Sequence, residues 1–184
     1  MNLVERAKDI VLRPRTEWPA VDREASEISD LFVSYVAVLA AIPATCALIR
    51  RVLVGVPLMT ALLIAITAYG LSCLTVYVMA LIVDRLAPYF AGRRDFENAL
   101  KLIAYSATPV WLSGVFLLIP GLGFLVLFGL LDAVYLLWLG IPALMRVPHH
   151  RALACTGAVL LCLIVVVAVF AALATQVFRV RAVM

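Results

Sequence analysis

Ionisable residues are scarce in this sequence, and those that catalysis usually needs are missing from useful places. No Glu occurs after Glu97, which removes the paired intramembrane glutamates used by one class of membrane metalloproteases. His149 and His150 are adjacent, so they lack the i, i+4 spacing that puts two ligands on one helix face, and there is no HExxH motif. There is no GxSxG, and no histidine lies inside an apolar run to activate Ser106 or Ser113. Gly121 and Gly123 follow no βαβ strand and form no phosphate loop. Cys46, Cys73, Cys155 and Cys162 all lie in apolar runs without a CxxC pair; thiols there act as small hydrophobes, and no disulfide is expected. A secretory signal is missing too. The first apolar run begins near Leu31 behind an acidic stretch, without a short positive leader or a small-residue cleavage site, so the N-terminus is expected to be retained. These absences predict no enzyme, no cofactor and no metal centre.

What the sequence does contain is hydrocarbon. Of its 184 residues 66% are hydrophobic, and the mean hydropathy is +1.12, more than a water-soluble core of this length requires. Five runs, at 31–49, 57–83, 102–119, 122–145 and 152–178, are long enough to cross a hydrocarbon core of about 30 Å as helices. The expected fold class is all-α: a polytopic membrane protein of five transmembrane helices, preceded by a short amphipathic interfacial helix. The expected organisation is a cytoplasmic N-terminal segment over 1–30, a membrane domain over 31–178 and a short external tail over 179–184.

Charge asymmetry predicts the orientation, because Lys and Arg near span ends are retained on the cytoplasmic side during insertion. Arg6, Lys8, Arg13, Arg15 and Arg23 precede the first run; Arg85, Arg93, Arg94 and Lys101 follow the second; Arg146 and Arg151 follow the fourth. That is eleven basic residues on one side, against Arg50, Arg51, Arg179 and Arg181 on the other. The N-terminus is expected inside and the C-terminus outside. The net charge of +4 then reads as topology and contact with the anionic lipid bilayer; a nucleic-acid partner would need a continuous basic face outside the membrane.

Ahead of the first run, Leu3, Val4, Ala7, Ile10 and Val11 share one helical face, as in a helix lying on the membrane. Pro14 and Pro19 are expected to stop it. Trp18, amphipathic and close to an arginine pair, suits the headgroup layer as an interfacial anchor. Prolines recur in the runs, at Pro43, Pro109 and Pro142, with Pro57 opening the second. Inside a membrane helix each bends the axis and frees a carbonyl that a hydroxyl or water must satisfy. Ser106 and Thr108 are near enough to Pro109 to do so, which makes 101–111 a kinked helix patched by its own hydroxyls.

Two acidic residues carry the remaining polar signal. Asp84 ends the second run and Lys101 begins the third on the same side, so an ion pair across the loop is expected. Asp132 lies mid-run in "FGLLDAVYLLWLG", where a carboxylate costs at least about 2.5–3.5 kcal/mol. It must face the bundle interior, be protonated or find a donor. With Tyr135 on its face, Asp132 could meet Tyr105, Ser106 or Thr108 across the tight hairpin between the third and fourth spans. That set would line the path of a small transporter or channel.

The segment "ALIVDRLAPYFAGRRDFENALKLIAYSATPVWLSGVFLLIPGLG", residues 80 to 123, followed by "YLLWLGIPALMRVP", 135 to 148, closely resembles the bacterial members of the Yip family of Ypt/Rab-interacting membrane proteins. The segment "RAKDIVLRPRTEW", 6 to 18, is similar to the family's N-terminal region. The most specific pieces are Asp84-x-Leu86-Ala87-Pro88, the run from Ala99 and Lys101 through Tyr105, Ser106, Thr108 and Pro109, and Tyr135 with Gly140 and Pro142. The resemblance implies five spans and a cytoplasmic N-terminus. Eukaryotic members are associated with prenylated small GTPases and vesicle formation, but this chain lacks their long N-terminal domain, so a Rab-type GTPase is not expected as a partner. Asp132 departs from the family's usual small or apolar residue. The reading is an inner-membrane, non-enzymatic interaction or membrane-organising component, with protein partners or further copies of itself as its company.

Overall fold

The computed structural model describes residues 3–24 and 28–183, with side chains up to residue 175. Its described residues form seven helices and no strand. Two are short: α1 (Leu3–Leu12) and α2 (Pro14–Arg23). Five are long and apolar enough to cross a membrane: α3 (Ile28–Leu53), α4 (Leu58–Phe90), α5 (Phe96–Leu118), α6 (Gly123–Met145) and α7, whose apolar part runs His149–Thr175. The expected all-α, five-span membrane protein is what the chain folds into. The helix of α7 itself continues to Val183, through most of the tail expected at 179–184; Met184 and the side chains of Arg179 and Arg181 lie outside the described residues.

Local chemistry sets the helix ends. Pro14 opens α2 at its first turn, where its fixed φ and missing N–H cost nothing. Pro19 is accommodated inside α2, so neither proline acts as the expected stop beyond the α1–α2 junction. Asp95 caps α5, its carboxylate accepting the Asn98 backbone N–H at 3.1 Å. Between α5 and α6 the chain turns through Gly121 at φ +90°, a backbone that glycine adopts without strain.

Helix α5 is the centre of the bundle. In its most apolar stretch 67% of residues are buried, against 6% in α7, and it packs on α3, α4 and α6. Pro109, Gly129 and Gly114 explain the close approach: a Cβ at Gly129 would lie 2.6 Å from the Pro109 carbonyl oxygen, and one at Gly114 2.6 Å from Pro43 Cβ. Small residues let membrane helices gain contact where hydrophobic driving force is absent. Helix α7 leans on α4 and α6 from the outside.

Candidate functional site

The polar side chains that matter gather at the end of the bundle where α5 begins and α6 ends, and the organiser is the N-terminal pair α1–α2. This pair packs on α5 and α6, and it buries Ala7 and Ile10 together with Arg6. The Arg6 guanidinium sits over the Tyr105 ring at 5.8 Å, donates to Glu17 Oε2 at 3.2 Å and also binds the Glu24 carboxylate. Burial works against its charge, but the bond to Glu24 and the fields of Tyr105, Glu24 and Glu17 outweigh this, so its pKa is raised above the ordinary value. A second tie is Arg146 Nη2 to Asp22 Oδ2 at 2.6 Å, joining α2 to the turn after α6.

Trp18 lies 2% exposed and edge-on to Tyr105, with ring centroids 6.5 Å apart. The expected headgroup anchor is therefore a core residue. Its seat is a notch at Gly140, where any Cβ would fall 2.8 Å from Trp18 Cζ2. Ala7 and Ile10 of the amphipathic face thus meet protein while Val4 stays exposed, and the α1–α2 pair lies as a strap across the bundle end. Its indole N–H meets no partner among the described residues.

Lys101 and Asp84 do not pair. Lys101 is 2% exposed, and its ammonium donates to Glu97 Oε1 at 2.6 Å and to the Glu24 carbonyl at 2.5 Å. Asp84 instead accepts from Arg94 Nη2 at 3.1 Å, with Arg85 Nε at 3.8 Å. The reason is geometric: the loop after α4 folds onto the end of α6, Arg93 N–H donating to the Met145 carbonyl at 2.8 Å, which carries Arg94 to Asp84. Lys101 points the other way, under the strap.

The hydroxyls near Pro109 do not patch its kink. Thr108 Oγ1 shares a 2.7 Å bond with Tyr35 Oη and reaches its own Ala104 carbonyl only at 3.5 Å. Tyr35 in turn packs edge-to-face on Tyr105, centroids 4.8 Å apart. Ser106 Oγ has no partner among the described residues. Asp132 is half-buried and joins none of the three; Tyr135 is 39% exposed and stacks loosely with Trp138. The expected polar set is split. Tyr105 and Thr108 belong to the strap and α3, Ser106 lines a cavity, and Asp132 with Tyr135 faces outward on α6. Arg6, Glu17, Glu24 and Tyr35 were not singled out from the sequence, although Leu3, Arg6 and Ile10 stand at helical spacing and place Arg6 on the apolar face.

This arrangement can hold and position helices; among the described residues no group of three or more acidic, Cys or His side chains could hold a metal ion. The model of the Yip1 domain matches residues 8–170. The chain belongs to the Yip1 family. It is 29% identical over 173 residues to the inner membrane protein YohC of Escherichia coli strain K12, and equally to that of strain O6:H1, covering 87% of this chain and 89% of each relative. No solved structure matches. The family-motif residues take structural places here. Pro88 lies in the turn that ends α4, Ala99 is fully buried in the first turn of α5, Gly140 receives Trp18, and Pro109 and Pro142 lie inside α5 and α6.

Proposed function

We propose that this Yip1-family chain is a non-enzymatic inner-membrane protein that organises the membrane by lateral association with a second copy of itself through α6. The observation that carries this is Asp132, a carboxyl midway along a span, on a face shared with the exposed Phe128, Leu131 and Tyr135, with no donor among the described residues. A carboxyl in hydrocarbon is expensive until it finds a partner, and Asp132 with Tyr135 supplies both an acceptor and a donor. A two-fold axis along the membrane normal sets the Tyr135 hydroxyl of one copy against Asp132 of the other, so the face is complementary to itself. The buried charges elsewhere pair among themselves and add rigidity. A transporter path has less behind it, because Asp132 stands on α6 about 150° round from the residues that line the cavity next to Ser106. The inner membrane follows the relatives' name. Inside placement of the N-terminus follows the eleven-to-four charge split.

The test is cross-linking. In a chain whose four cysteines are replaced by alanine, Phe128→Cys should give a cross-linked dimer in native membranes, and adding Asp132→Leu should abolish it. A monomer in the first case, or an unchanged dimer in the second, overturns the proposal. Reporter fusions after Met184 should read outside and those within residues 85–98 inside; an inside reading at Met184 overturns the orientation.

A further inference from the structure

A cavity of about 360 Å³ lies between α4, α5, α6 and α7, with walls that include Met79, Ile103, Val134, Leu137 and Leu163. No charged residue lines it. It is far larger than the roughly 150 Å³ hydrophobic cavities that take benzene and stay dry. Water needs two to four polar partners to settle in such a place, and here the polar atoms are few. Thr75 Oγ1 is used up by its own Leu71 carbonyl at 2.7 Å, and Ser72 Oγ accepts the Trp111 indole N–H at 3.3 Å.

Ser106 is the exception. It is 6% exposed, lines the cavity and has no hydrogen-bond partner among the described residues. A helical hydroxyl normally folds back on the carbonyl four residues earlier, as Thr67, Thr75 and Thr156 do here at 2.7 to 2.8 Å. Ser106 does not, and a buried donor left unmade is costly. Its O–H is available to an acceptor inside the cavity.

We infer that this cavity binds the acyl chain of a bilayer phospholipid, with a carbonyl oxygen of its ester accepting from Ser106 Oγ. The apolar walls take a hydrocarbon chain, the unpartnered Ser106 O–H selects a neutral acceptor, and the lack of a basic lining residue keeps the phosphate outside. Helix α7, the least buried span, forms the outer wall on the lipid side. The site does not depend on the α6 self-association, since Asp132 and Tyr135 do not line it.

The experiment uses the full chain in liposomes containing phosphatidylethanolamine with a photoactivatable diazirine on one acyl chain, and in parallel diacylglycerol carrying the same chain. Cross-linked peptides are mapped by mass spectrometry. With the phosphatidylethanolamine probe, labelling should concentrate on the cavity faces of α4, α5 and α6. Ala133→Phe should fill the cavity and suppress labelling at least tenfold, with folding checked by thermal melting. Ser106→Ala, which leaves the walls intact, should reduce it about two- to threefold, as expected for one hydrogen bond inside a membrane. Labelling spread evenly over the lipid-facing surface, or insensitive to Ser106→Ala, would overturn the site. Concentrated labelling by the diacylglycerol probe alone would overturn the phospholipid as its source.

Discussion

Replacing Arg6 by Met keeps the stem that fills the space under Tyr105 and removes the charge that ties the strap together. The magnitude can be worked from the contacts. The bond to Glu17, whose side chain is 19% exposed, falls on the scale of charged hydrogen bonds, about 1.5–3 kcal/mol. Glu24 is 44% exposed on its side chain, so water screens that pair to about 0.2–1 kcal/mol. The guanidinium over Tyr105 adds about 0.5–1 kcal/mol. Against these stands relief of the desolvation that Arg6 suffers on burial. A net loss of about 2 kcal/mol results, equivalent to about a thirtyfold change in the opening equilibrium. The assay is hydrogen exchange in nanodiscs, reading the amides of α1 and α2, because a strap that opens locally exchanges without unfolding the spans. Arg6→Lys should fall between, since an ammonium keeps the charge and loses the fork that reaches two carboxylates. Exchange in 3–23 that changes less than about threefold in Arg6→Met would refute the account of the clasp, as would equal acceleration in α5 and α6.

The same arginine fixes a pH response. Its pKa in the folded chain is raised above the ordinary guanidinium value, so its contribution is fully present below that ordinary value and is lost only as pH rises through the folded pKa; strap exchange corrected for intrinsic rates should stay flat between about pH 7 and pH 10, and a rise there would show that Arg6 is not the charge responsible. Gly140→Val should eject Trp18 from its notch at a cost of about 1–3 kcal/mol, read as a red shift of Trp18 fluorescence when Trp111 and Trp138 are replaced by Phe; an unshifted spectrum argues against the notch. Tyr35→Phe and Thr108→Val should be coupled by about 0.6 kcal/mol in a double-mutant cycle of detergent stability, and strict additivity would deny the bond between them. Asp84→Asn should couple to Arg94→Met by at most about 1 kcal/mol and add independently to Lys101→Met; coupling to Lys101 would restore the pair that the geometry rejects.

The spans were legible because their signal is local: a run of some twenty apolar residues identifies itself whatever it packs against. The pairing of polar groups was not. Lys101 and Asp84 are sequence neighbours across a loop, and proximity along the chain suggested a pair. What decides between partners is the direction each side chain takes from its helix, and Lys101 is carried under a strap whose existence depends on Glu24 and Trp18 arriving from elsewhere.

Trp18 makes the point sharpest. An indole flanked by prolines and arginines has the same sequence whether it floats in the headgroups or sits in protein, and burial of the ring is favourable in both. The choice is made by Gly140, far along the chain, whose missing Cβ leaves room for Trp18 Cζ2 to approach closely. Arg6 then follows of necessity: once the tryptophan docks, α1 is drawn over Tyr105, and an arginine on its inner face must be matched by carboxylates or the strap cannot close. Glu17 and Glu24 are those carboxylates. The clasp is thus one cooperative unit with two keys, a small residue on α6 and a charge on α1, and removing either should loosen the other.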